Sequence, residues 1–92
     1  VSLQNQNMSN QDLRGVKFCE ADLTGCNLEN ADLRGADLSR ANLSNTMLKG
    51  ADLRRTLMKG TNLRGLNIRG AKIDIAFAIN FAYAHGGVLL DD

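Results

Sequence analysis

The 92-residue chain contains no proline and no tryptophan, only two cysteines, one histidine and four aromatic residues. Without proline, every residue keeps its backbone N–H, which suits a fold built on uninterrupted main-chain ladders. Two cysteines are too few for a disulfide framework. Cys19 and Cys26 also sit at positions that point in opposite directions, so a bridge between them would have to reverse one side chain. A single histidine, His85, has no cysteine or serine arranged around it, metal-ligand spacing is missing, and there is no phosphate-cradling glycine loop. The chain is therefore read as non-enzymatic, with no cofactor. No run of eighteen apolar residues offers a membrane span, and no basic-then-apolar leader is expected. A net charge of +1, with no aromatics interleaved among the cations, argues against a nucleic-acid binder.

What the chain does have is a period of five. A large apolar residue recurs at Leu3, Met8, Leu13, Phe18, Leu23, Leu28, Leu33, Leu38, Leu43, Leu48, Leu53, Met58, Leu63, Ile68 and Ile73. Two residues earlier the side chain is usually small, as at Ala21, Cys26, Ala31, Ala36, Ala41, Thr46, Ala51, Thr56, Thr61 and Ala71, with Leu66 the clear exception. Five matches neither the 3.6 of a helix nor the 2.0 of a long strand. It describes a chain that runs briefly extended, turns a corner and repeats. Within a unit the small and large residues lie two apart and share the inward face. Asp and Asn at the position between them are suited to bonding nearby backbone amides. Seven glycines from Gly15 to Gly70 take the fifth position, where a corner needs positive φ.

The units ADLTG, CNLEN, ADLRG, ADLSR, ANLSN, TMLKG, ADLRR, TLMKG and TNLRG resemble the pentapeptide-repeat family over residues 1 to about 75. The resemblance implies an all-β solenoid, a right-handed quadrilateral β-helix with twenty residues per coil and about four coils. The core is then expected at Leu13, Phe18, Leu23, Leu28, Leu33, Leu38, Leu43, Leu48, Leu53, Met58, Leu63, Ile68 and Ile73. Two regions follow: a repeat β-helix over 1–75, and a C-terminal cap and tail over 76–92.

Both ends depart from the pattern. Gln6 and Gln11 occupy inward small positions of the first coil. That coil is either a fraying, solvent-facing end or the continuation of something upstream. After Ile73 the segment IAFAINFAYAH becomes densely apolar. Asp74 as N-cap and Gly86 as stop predict a helix of about ten residues. Alternation of Ile75, Phe77, Ile79, Phe81 and Tyr83 leaves an irregular further coil as the alternative. In either form these five residues are expected to cover the last coil or to make a homodimer contact.

Twenty-residue coils stack Asp12, Asp32 and Asp52 in one column and Arg14, Arg34 and Arg54 in another. This is either a recognition face or, as expected here, a self-compensating surface. Between Lys49 and Lys72 the basic residues Lys49, Arg54, Arg55, Lys59, Arg64, Arg69 and Lys72 are opposed only by Asp52. They form a candidate interaction surface. Met47 and Leu57 replace the usual Asp or Asn, and Leu57 is expected to stack beside Phe77. The leading function is a structural or protein-interaction module, a short rigid rod presenting flat faces to a protein partner. One alternative, which the resemblance implies, is a DNA-mimicking topoisomerase (gyrase) protector or inhibitor, though the family's acidic surface is missing. Another is the β-helical portion of a secreted effector or larger multidomain protein. Isolated thiols point to a cytoplasmic location.

Overall fold

The computed structural model describes residues 2–87. From Ser2 to Lys72 the chain winds as a β-helix whose repeat is twenty residues. Eleven parallel bridges hold this register without a slip, beginning with Ser2–Asp22 and ending with Asp52–Lys72. Since each unit has five residues, four units complete one coil. Each unit runs extended over its first three residues and turns over its last two.

The corner is a hydrogen-bonded turn. At most corners the N–H that opens the following unit donates to the central carbonyl of the unit before, as from Ala36 to Leu33 at 2.9 Å. The fifth residue supplies the positive φ that such a turn requires at its third position. Gly35 does so at 73° without steric cost. More unexpectedly, Glu20, Arg40 and Arg55 take the same conformation, at 61°, 58° and 63°. Asparagine, which tolerates this region well, takes it at Asn5, Asn10, Asn30 and Asn45. The coil geometry therefore overrides side-chain preference at Glu20, Arg40 and Arg55.

Between coils the main chain bonds in a repeating pattern. Central and fifth-position N–H groups reach carbonyls nineteen residues on, as from Leu3 to Asp22 at 2.8 Å and from Asn5 to Thr24 at 2.9 Å. Second-position N–H groups reach back, as from Asn27 to Gln6 at 2.9 Å. Second-position Asp and Asn side chains accept from the N–H two residues later, for example Asn42 from Ser44 at 3.0 Å. This Asx bond fixes the entry to each corner.

The core is one column of leucine. Leu23, Leu28, Leu33, Leu38, Leu43, Leu48 and Leu53 are fully buried, and Leu13, Phe18, Met58 and Leu63 nearly so. Ile68 and Ile73, expected in the same core, are only partly buried. They belong to the last, incomplete coil, which has a coil on one side only. Leu66 is buried there despite occupying a small-residue position, because no further coil competes for that space. Inward polar side chains bond the coil before: Thr46 Oγ1 donates to the Leu23 carbonyl at 3.1 Å, and Cys26 Sγ to that of Leu3 at 2.7 Å. Gln6 and Gln11, in the first coil, are exposed.

At Asp74 the chain leaves the coil and forms α1, Ile75–Ala84. Its N-cap is Asp74, whose Oδ1 accepts from Phe77 N–H at 2.9 Å. The other oxygen, Oδ2, accepts from Arg55 N–H at 2.7 Å. Residue 74 is nineteen beyond residue 55, so this carboxylate stands where a further coil would have offered a backbone carbonyl. Both bonds, that from Arg55 first, hold the Asp74 carboxyl below its ordinary pKa.

Candidate functional site

The four sides of the coil carry different chemistry because column mates lie twenty residues apart. The side built from units 11–15, 31–35 and 51–55 holds an ion-pair ladder. Arg14, Arg34 and Arg54 each grip the aspartate two residues earlier with both Nε and a terminal nitrogen, Nε–Oδ1 being 2.9 Å in all three pairs. Adjacent rungs approach at 3.9 Å (Arg14–Asp32) and 3.8 Å (Arg34–Asp52). The guanidinium of Arg34 is the main reason the Asp32 carboxyl is lowered to about 2. Asp12 and Asp52 are lowered chiefly by Arg14 and Arg54. This side therefore neutralises itself, and Arg54 is not available as a free cation of the candidate basic surface.

The remaining cations are spread around the coil. Lys49 and Arg69 share the side of units 46–50 and 66–70, Lys59 faces the side of unit 56–60, and Arg64 that of unit 61–65. Arg55 stands at a corner, and Lys72 follows Asp52 in its column. The cations that the sequence marked as a candidate interaction surface form a belt around the last two coils, with Lys49 and Arg69 stacked on one side. Beside them is a concavity of about 380 Å³ lined by Glu29, Met47, Lys49, Asn67 and Arg69 among others. The sequence marked Met47 only as a break in the Asp/Asn pattern; its place in a concavity depends on which units stack.

The C-terminal segment divides in two. Phe77 is buried, at 1% exposure, and Phe81 is partly buried against the core. Their rings stack at a centroid distance of 6.3 Å, and His85 lies 4.2 Å beyond Phe81. Ile75, Ile79 and Tyr83 are exposed, so they do not cover the coil as the sequence suggested. Alternation would have put all five residues on one face. In a helix, residues two apart point about 200° apart, which separates Phe77 and Phe81 from Ile75, Ile79 and Tyr83. Leu57 does not stack beside Phe77 either. It points outward and is 57% exposed, because position 77 has entered α1 and the twenty-residue register ends at Lys72.

Cys19 is exposed and Cys26 buried, and neither is paired. Cys19 Sγ donates to Asp37 Oδ2 at 3.3 Å, and this bond is the main cause of its raised pKa. Burial raises that of Cys26. Among the described residues no group of three or more His, Cys, Asp or Glu side chains could hold a metal ion, and no helix is long and apolar enough to cross a membrane.

Comparison with known proteins places this geometry. A search of curated proteins returned no match. Among solved structures, a trypsin-treated form of QnrB1, a plasmid-mediated fluoroquinolone resistance protein, matches with a TM-score of 0.78 at 18% identity over 98% of this chain. The chain spans 44% of that QnrB1 chain, and the likeness is one of fold. A pentapeptide repeat protein from the Arabidopsis thaliana thylakoid lumen is 35% identical over 95% of this chain and 64% of its own, with a TM-score of 0.48. One from the cyanobacterium Cyanothece 51142 is 32% identical over 80% of this chain and 57% of its own, at 0.46. The family description "Pentapeptide repeats" matches residues 1–35 and 36–73 in eight copies. The chain belongs to the pentapeptide-repeat family.

Proposed function

We propose that this chain is a non-catalytic protein-interaction module: a short, rigid, right-handed four-sided rod whose flat sides meet a protein partner. Its repeat part is assigned to residues 1–75 and its cap and tail to 76–92, of which residues 1 and 88–92 lie outside the described residues. The observation that carries this reading is the unbroken twenty-residue register from Ser2 to Lys72. The outward side chains are thereby held on a backbone bonded from coil to coil, so little conformational entropy is lost when a partner docks. A photo-crosslinking residue placed in turn at Arg64, Arg69, Lys72 and Lys59 samples the four sides in a lysate of the native source. A discrete adduct from one side supports the module. No adduct from any side, or indiscriminate adducts from all four, counts against it.

Self-association through α1 belongs to the same reading. It is supported by the outward row of Ile75, Ile79 and Tyr83, apolar surface that the rod's own core does not use. Light scattering on Ile79→Asp tests it: a dimer reduced to a folded monomer is the expected result, and an unchanged mass refutes it. Duplex-DNA mimicry, the topoisomerase-protector alternative, draws on fold likeness alone. The cations of residues 49–72 give the rod's last coils the opposite sign to DNA. Two unpaired thiols support a reducing, cytoplasmic setting.

A further inference from the structure

We infer that the concavity over Met47, Lys49 and Arg69 is a docking site for an extended acidic peptide segment carrying an apolar side chain; this rests on the interaction-module reading. Two independent features of one side of the rod converge here. The first is charge. Lys49 and Arg69 occupy equivalent positions in stacked units, about 4.8 Å apart along the rod axis at the backbone. Neither takes part in a salt bridge among the described residues, whereas Arg14, Arg34 and Arg54 all do. Two like charges side by side repel each other, and an incoming pair of carboxylates relieves that repulsion.

The second feature is Met47. Its column mates are Asn27 and Asn67, each of which accepts a bond from the N–H two residues on, at 3.0 and 2.9 Å. Methionine cannot accept that Asx bond for Lys49 N–H. The fold thus forgoes a local hydrogen bond at this unit and leaves an apolar side chain 45% exposed between polar neighbours. An unbranched thioether adapts readily to a partner's apolar side chain. Leu57, the other apolar residue at such a position, shares its side with one basic-belt cation, Lys59, whose column mates are Cys19 and Ser39.

Glu29 completes the site and gives it direction. It precedes Lys49 in the same column and lines the same concavity. A peptide is therefore drawn with its carboxylates toward Lys49 and Arg69 and its uncharged end toward Glu29. The same carboxylate limits the basic column to two residues, and no aromatic among the described residues lines the concavity for a base to stack on, both of which disfavour a nucleic-acid strand.

Selection of a displayed random seven-residue peptide library on the intact chain, followed by fluorescence polarisation with the enriched peptide, tests the site. Enriched sequences are expected to carry two or more acidic residues beside an apolar one. Met47→Asn, which restores the repeat pattern and so keeps the fold, should weaken binding about 5-fold. The Lys49→Glu/Arg69→Glu pair should weaken it at least 30-fold, and Glu29→Gln should strengthen it 2- to 3-fold. Charge reversal elsewhere on the belt, Lys59→Glu/Arg64→Glu, should change it less than 3-fold. Equal loss from both double reversals, or equal competition by a ten-nucleotide single strand, overturns the inference. Binders of another composition, or acidic binders indifferent to Lys49 and Arg69, overturn the site but leave the interaction module standing. No binder in the library, together with no crosslinked adduct from any side, counts against both.

Discussion

Replacing Asp74 should separate two stabilising roles carried by one carboxylate. Oδ1 caps α1 at Phe77 N–H, and Oδ2 receives Arg55 N–H in the place of the missing coil. Loss of an N-cap costs about 0.5–2 kcal/mol. The second bond is to a charged acceptor but lies at a partly exposed site, so its loss should cost about 1 kcal/mol, below the usual range for such bonds. Asp74→Ala should therefore destabilise the chain by about 1.5–3 kcal/mol in urea titrations followed by circular dichroism. Asp74→Ser retains a good cap but is too short to reach Arg55, so it should lose only about 1 kcal/mol. The difference between the two variants isolates the cap. Because the carboxyl is held below its unfolded value, its contribution is complete above about pH 4. It fades as pH falls further, since the unfolded chain then binds the proton more readily. If Asp74→Ala and Asp74→Ser both remain within about 0.5 kcal/mol of the parent, the carboxylate does not join rod and helix, and the reasoning fails.

Leu33→Ala removes a fully buried member of the leucine column and should cost about 2–5 kcal/mol by the same titration. A loss below half a kcal/mol would contradict the packing. At the corners, Gly35→Ala meets no atom within 4 Å, so its cost of about 1 kcal/mol is purely conformational. Glu20→Gly, at a corner with φ of 61°, should instead stabilise by about half a kcal/mol; matching signs in thermal melts would refute the turn assignment. A bulky thiol reagent should label Cys19 and spare Cys26 in the folded chain, and Asp37→Ala should speed the Cys19 reaction by removing the bond that raises its pKa. Acid titration should show stability falling between about pH 4 and pH 2, because Asp32 stays ionised in the fold down to about 2 while unfolded carboxylates already take up protons. A flat profile across that window would mean that the Asp–Arg ladder contributes nothing to linkage.

The five-residue period was enough to read the inward leucines, the Asx positions and the opposite facing of Cys19 and Cys26, because each depends on spacing within a unit. The twenty-residue coil, which the family resemblance implied, placed Asp12, Asp32 and Asp52 beside Arg14, Arg34 and Arg54. Only the folded geometry showed that these close as paired rungs, taking Arg54 out of the basic surface. Spacing could mark Met47 as irregular without revealing a concavity, since a concavity depends on which side chains stack from coils twenty residues apart. The ends were the least legible. Large–small alternation from Ile75 to Tyr83 suits a strand and a helix alike, and the choice decides whether five apolar residues share a face or split between two. That choice was made by Asp74, whose second oxygen ties the helix start to Arg55. A repeat unit's interior is set by local spacing, and so by sequence; where the repeat stops, long-range packing and one capping carboxylate decide the structure.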